Sequence, residues 1–239
     1  MSWFAHLFRP HVELPAGYAD RVQQWRSLPD PGEKQTLAQA RFVIVDVETS
    51  GLDTRKDRLL SIGACVVDRL RLRPGENYET VLHRDEPSER DNILIHGIGP
   101  QAQARGEAPE ESLMGFLEFV GKQPLVAFHA GFDQAVLDRE LRRTLGSRLP
   151  NAWIDAAFLA PALVPEARLP RAGLDEWLAY FNLRVHTRHR ALDDALATGE
   201  LFLILLKRAL TSGLDIVGSL LVAADAHQRK VLGSNSGGA

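Results

Sequence analysis

The stretch Arg41-Phe-Val-Ile-Val-Asp-Val-Glu-Thr-Ser-Gly-Leu52 decides the fold. Phe42 to Val47 is apolar and largely β-branched at consecutive positions, the pattern of a central strand buried on both faces. Asp46 and Glu48 interrupt it at i and i+2, so both point to one face. At an effective dielectric near 20, like charges about 4 Å apart repel by roughly 4 kcal/mol. A positive group must offset that, or a proton must be taken up. A hydrated pair at a strand end is the plainer reading, but strands disfavour Asp and Glu. Thr49-Ser-Gly51 then makes a turn whose backbone N–H groups suit an anionic group.

Outward from this strand, Leu59 to Asp68 reads as a second strand and Asn77 to His83 as a third, with Arg73-Pro-Gly75 as the turn between them. Glu110 to Val120 has helical apolar spacing, and Pro124 to Phe128 is a short buried strand leading into a helix over 132–145. Helices are also expected near 155–163 and 172–181, with a long one over 190–210 closed by Gly213. Gly17 to Leu28 has helical spacing and stops at Pro29-Asp-Pro-Gly32, and Leu214 to Ala226 looks helical. Meander strands followed by alternating helix and strand predict an α/β fold, a mixed sheet with helices on its faces.

Composition limits the function classes. The chain has 239 residues, 45% hydrophobic and 25% charged, enough for one large domain with extensions and unlike a disordered protein. The longest apolar run, Leu201 to Leu206, is far short of a membrane span, and the first nine residues do not read as a secretory leader. No membrane association is expected, and the cytoplasm is the default location. The single Cys65 excludes a disulfide framework and a cysteine-built zinc site. Net charge is −3 despite 23 arginines, a balance that permits local basic patches and decides nothing about nucleic acid.

Two further segments carry candidate chemistry. In Phe128-His-Ala-Gly-Phe-Asp133 a strand ends in a small-residue turn, and Asp133 falls near a helix start. A helix cap accounts for Asp133 equally well, and Phe132 reads equally well as core. In Arg188-His-Arg-Ala-Leu-Asp-Asp-Ala195, five residues of helix turn through about 500°, so His189 and Asp194 cannot share a helical face. They converge only if His189 precedes the helix. The small residues Ala191, Ala195, Thr198 and Gly199 would let this helix approach the sheet and bring Asp194 to Asp46 and Glu48. Asp193 reads as a charge favoured by the helix dipole. Four carboxylates without sulfur select hard ions such as Mg²⁺ or Mn²⁺. Two such ions about 4 Å apart can clamp a phosphodiester, and a histidine can deprotonate the attacking water.

Here the sequence resembles a known family, the DEDDh 3′–5′ exonucleases, to which the proofreading epsilon subunit of bacterial DNA polymerase III belongs. The family's motifs are matched by Asp46-Val-Glu-Thr-Ser-Gly-Leu52, His129-Ala-Gly-Phe-Asp133 and His189-Arg-Ala-Leu-Asp-Asp194. Asp57 to Ala64 and His96-Gly-Ile98 resemble its second strand and substrate loop. His129 stands where many members have Asn, and Gly99 where Thr is common; both bear on substrate preference and neither removes an acid. The resemblance implies an RNase H-like mixed five-stranded sheet with helices on both faces. It implies that Asp46, Glu48 and Asp194 hold one of two Mg²⁺ or Mn²⁺ ions, with Asp46 bridging to a second that Asp133 serves. It makes His189 the general base and Thr49, Leu52, His96, Ile98 and Phe132 substrate contacts. The likeness covers 41–210, which leaves 1–40 as a partly helical extension and 211–239 as a C-terminal helix and a disordered tail.

The expected activity is removal of nucleotides from 3′ ends of single-stranded DNA, favoured over RNA, in a chain that is also a candidate DNA polymerase subunit. Alternatives are an RNA exonuclease of the oligoribonuclease or RNase T kind, and a catalytically silent nucleic-acid-binding module. Thr211 to Ala239 shows no convincing counterpart of the epsilon subunit's clamp-binding motif. His186 is read as a loop residue, and Arg184, Arg188 and Arg190 either as phosphate attractors or as a solvated basic loop. Trp3, Phe4, Leu7 and Phe8 read as packing on the protein's own core, and Cys65 as a buried strand residue.

Overall fold

The computed structural model describes residues 14, 16–185 and 188–233. His186, the apolar residues at 3–8 and the tail beyond Gly233 lie outside them. The sheet has five strands in the order β3-β2-β1-β4-β5. They are β1 (Arg41–Thr49), β2 (Leu59–Asp68), β3 (Arg71–Val81), β4 (Leu125–Ala127) and β5 (Trp153–Asp155). β1 is central, antiparallel to β2 and parallel to β4, and β5 continues the parallel half. The mixed α/β sheet expected of an RNase H-like fold is therefore present.

Alternation along β1 sorts the core into two layers. Phe42 and Ile44, with Cys65 and Val67 of β2, pack against α6 (Ala156–Leu163), α7 (Leu174–Tyr180), α8 (Ala191–Thr211) and α9 (Val217–Gly233). Val43, Val45 and Val47 face α1 (Tyr18–Ser27), α4 (Pro109–Val120) and α5 (Ala130–Leu145). With both sides covered, β1 is apolar at nearly every position until Asp46. Two short helices, α2 (Arg90–His96) and α3 (Pro100–Ala104), follow β3 and were not expected as helices; the expected substrate loop at 96–98 falls at the link between them.

The turn between β2 and β3 differs from expectation. Asp68 pairs with Arg71, so the hairpin turns at Arg69 and Leu70, both left-handed at φ 50° and 61°. Two positive φ values in a two-residue loop match the right-handed twist of the strands. Arg73-Pro-Gly75 sits inside β3 instead. Pairing jumps from Val66↔Arg73 to Cys65↔Asn77, so residues 74–76 bulge outward, and Asn77 Nδ2 donates to the Pro74 carbonyl across 2.9 Å. An edge strand tolerates Pro because its outer N–H groups need no ladder partner.

The segment before β1 and the segment after α8 are joined by backbone hydrogen bonds. The Leu37 N–H donates to the Asp215 carbonyl at 2.8 Å and the Val217 N–H to the Gln35 carbonyl at 3.0 Å. Helix α1 is held to α4 by Arg21, which pairs with both Glu111 and Glu118 at 2.8 Å. No helix among the described residues is long and apolar enough to cross a membrane.

The small residues expected to let α8 approach the sheet do so. A Cβ on Gly63 would lie 2.1 Å from the Ala191 carbonyl carbon and the Leu192 nitrogen, and one on Gly199 would lie 3.3 Å from the Cys65 sulfur. The start of α8 thus rests directly on the backbone of β2. Gly63→Val should cost at least the 1–3 kcal/mol typical of an overfilled core, lowering Tm by about 2–10 °C. A thermal melt of the purified variant checks this, and an unchanged Tm would contradict the close approach.

Candidate active site

Asp46 and Glu48 continue the side of β1 that Phe42 and Ile44 present to α8. Asp194 lies in the first turn of α8, and Ala191 and Gly63 in contact set its height above the sheet. One ligand oxygen from each of Asp46, Glu48 and Asp194 falls within 4.8 Å of the others. Asp133, in the first turn of α5, is buried, accepts a hydrogen bond from the Val47 N–H, and is the charge that acts most strongly on Asp46.

His189 precedes α8, as convergence requires. Its backbone is left-handed, φ 63°, and its N–H donates to Asp194 Oδ2 at 3.2 Å. That bend turns the chain between the histidine and the helix and ties both to one carboxylate. Arg188 donates to the other Asp194 oxygen, and its Nε pairs with Asp175 at 2.6 Å. Arg188 is therefore part of the acidic site and not only a solvated basic loop. Asp193 faces Arg190 at 3.8 Å, in keeping with its reading as a helix-start charge.

Burial and mutual repulsion shape the protonation of these acids. Asp46 is pushed well above the ordinary aspartate range by burial, then by Asp133, Glu48 and Asp194. Glu48 rises to about 7, through burial and Asp194, against the opposing charge of Arg188. Burial likewise raises Asp133 and Asp194. A set of oxygen donors held together, short of cations and reluctant to ionise, fits a hard divalent ion.

Sequence reasoning missed Asp155. It ends β5, a strand too short to show in the pattern. Its carboxylate accepts the Ala157 N–H at 2.9 Å as a helix cap and the His129 N–H at 3.1 Å, and its charge adds to that on Asp133. His129 is left-handed at φ 67°, a conformation in which Asn and His are both enriched among residues other than Gly. The exchange of Asn for His at this turn thereby keeps the backbone bend.

The expected substrate contacts divide. A groove of about 470 Å³ is lined by Ser61, Glu79, Leu94, His96, Ile98 and His189 among others; it meets the acids through Ser61, the strand neighbour of Glu48, and Arg188, which bonds Asp194. His96 is buried; its Nδ1 accepts the Ile98 N–H at 3.0 Å, so the neutral ring carries its proton on Nε2, which has no protein partner. Burial lowers its pKa and keeps it neutral. Leu52 is 88% exposed at the tip of the loop after β1, and Thr49 Oγ1 donates to the Gly51 carbonyl at 2.6 Å. Phe132 does not line the groove; its ring packs against the α4 and α5 side of the core.

The sequence profile of the exonuclease family known as RNase_T matches residues 43–202. The chain belongs to this exonuclease family. Among its relatives, the PolC-type DNA polymerase III of Caldanaerobacter subterraneus subsp. tengcongensis is 28% identical over 79% of this chain, which spans only 13% of that protein. The DNA polymerase III subunit epsilon of Treponema pallidum is 30% identical, over 67% of this chain and 74% of its own length. The zinc-bound Escherichia coli ExoI–ssDNA complex shares the fold, with TM-score 0.62 and 21% identity over 74% of this chain and 42% of that one. The match spans both strand-borne acids, Asp133, His189 and Asp194, so the expected DEDD-type exonuclease is met in family and in fold.

The raised acids make a stability prediction. Folded Glu48 keeps its proton up to about pH 7, against an ordinary value of 4.5, so its burial does not destabilise the fold below pH 4.5, costs progressively more between pH 4.5 and 7, and levels off above. In chelator, Glu48→Gln should match the wild type near pH 4.5 and exceed it increasingly up to about pH 7, where the gap levels off at about 2–3 kcal/mol. Denaturant melts at stepped pH read this difference, and a pH-independent gap would contradict the charge crowding.

Proposed function

We propose that the chain is a metal-dependent 3′–5′ exonuclease that releases 5′-mononucleotides from the 3′ end of single-stranded DNA. The observation that carries this is the convergence of Asp46, Glu48 and Asp194 within 4.8 Å, with Asp133 beside Asp46 and His189 on the loop that leads to Asp194. Asp46, Glu48 and Asp194 are the residues to hold one Mg²⁺ or Mn²⁺ ion, and Asp46 with Asp133 the residues to hold a second. Bound there, such ions supply charge stabilisation at the phosphoryl oxygens and lower the pKa of water.

In this reading the chain's own groups divide the work. His189, at the mouth of the groove and outside the helix, takes the proton of the attacking water. Water oxygen bonds to phosphorus, the bond to the 3′ oxygen of the preceding nucleotide breaks, and the phosphate leaves on the released mononucleotide. Thr49 and Leu52 meet the terminal nucleotide, while His96 and Ile98, on the groove wall, meet the neighbouring bases. Phe132 supports the turn before Asp133 from the core side. The polymerase III relatives and the single-stranded DNA named with the structural neighbour support a DNA substrate and association with a DNA polymerase.

The test is cleavage of 5′-labelled single-stranded DNA and RNA of one sequence with Mn²⁺ or EDTA. A metal-dependent ladder shortening from the 3′ end, faster on DNA, is expected; faster loss of RNA would move the chain to an RNA substrate, and no product would favour a silent binding module. His189→Ala should lower kcat by about 10²–10⁴, and an unchanged kcat would remove it as the base. Mn²⁺ at millimolar concentration should raise the Tm of the wild type, because a ligand that binds only the folded state stabilises it.

A further inference from the structure

Away from the acids, three charged side chains grip the loop that follows β1. Glu140 of α5 is nearly inaccessible, with 8% of its side chain exposed, and sits between Arg84 at 3.2 Å and Arg139 at 3.1 Å. Neither arginine stops at the carboxylate. Arg139 donates through its two terminal nitrogens to the carbonyls of Thr54 and Asp57, and Arg84 donates through Nε and Nη2 to the Leu59 carbonyl at 2.9 and 2.7 Å. Three carbonyls of the return path from Leu52 to β2 thus end on one buried ionic cluster.

The rest of the loop depends on that anchorage. The Asp57 carboxylate accepts the Asp53 N–H at 2.7 Å and packs so closely on Gly51 that a Cβ there would lie 2.5 Å from it. Ser50 Oγ accepts the Arg58 N–H at 2.9 Å, and Asn92 donates to the Ser50 carbonyl. Residues 50–58 are therefore a closed, polar-bonded loop with one large apolar side chain, Leu52, standing out of it at 88% exposure. A buried carboxylate is costly unless paired. Here the pairing orients two guanidinium forks whose remaining donors are spent on backbone.

We infer that Arg84, Glu140 and Arg139 form an ionic brace that positions the 50–58 loop, and with it Leu52, for the terminal nucleotide. The brace acts on nucleotide binding and not on the acids: Glu140 and Arg139 hydrogen-bond to none of them, and every bond from Arg139 ends on the loop or on Glu140. These are positioning residues, and the inference rests on the proposed reading of Leu52 as a nucleotide contact.

Steady-state cleavage of a single-stranded DNA oligonucleotide separates the roles. Arg139→Ala should raise KM about five- to fiftyfold with kcat within twofold of wild type, and should leave the Mn²⁺-induced rise in Tm intact, since only the loop has lost its place. Glu140→Gln, nearly isosteric, carries the same expectation should Arg139→Ala fail to fold. Leu52→Ala is the reference. If Arg139 acts through Leu52, the double variant Leu52→Ala/Arg139→Ala should have a KM no higher than Leu52→Ala alone. A raised KM in Leu52→Ala with unchanged KM in Arg139→Ala and Glu140→Gln overturns the brace and leaves the nucleotide reading standing. Unchanged KM in Leu52→Ala overturns both. A fall in kcat at constant KM, or loss of the Mn²⁺ shift in a folded variant, also overturns the brace, because it would mark a general structural defect.

Discussion

Carboxylates at the end of a buried strand constrain the whole molecule. Asp46 and Glu48 share a face with Ile44, and Asp133 and Asp194 arrive at that end from helices on opposite sides of the sheet. No arrangement of the protein alone relieves this crowding: Arg188 reaches Asp194, yet Glu48 still rises to about 7. The fold holds the acids in place at its own cost, as expected where a site is built to complement something that arrives from outside. The two-layered core, the Gly63 contact under α8 and the left-handed His189 serve that convergence.

How much of this was legible in the sequence follows from the length and periodicity of each element. β2 was readable to its ends because it is apolar at nearly every position, and α8 because twenty-one residues hold one helical pattern. The geometric argument that His189 must precede the helix needed only 3.6 residues per turn. β5 was not readable, since three residues carry no period, and Asp155 was lost with it. α2 and α3 were hidden for a similar reason: at seven and five residues, they are set by their neighbours and not by their own pattern.

The misplaced turn has a sharper cause. Arg73-Pro-Gly75 has the composition of a turn, yet an edge strand can carry such residues as a bulge while Arg69 and Leu70 turn the chain without glycine. Composition identifies where regular pairing breaks, not which break reverses direction. Charged residues were hard to place for a related reason. Arg188 read as one of three loop arginines, open between a phosphate attractor and a solvated residue, and Arg139 and Glu140 drew no reading at all. What distinguishes them is the burial of their partners, a property of the tertiary arrangement that no local window contains.

The joining of Gln35–Leu37 to Asp215–Val217 has an entropic consequence. These segments flank all five strands, so their contact closes a loop of nearly the whole domain, and loop-closure entropy grows slowly with length. Hairpin β2–β3 is local in sequence, whereas this clasp, like the seating of α8 on β2, joins segments far apart in the chain. The clasp therefore ties the segment that enters β1 to the segment that leaves α8, so the strand and the helix that carry Asp46, Glu48 and Asp194 are fastened to each other at their far ends as well as at the acids.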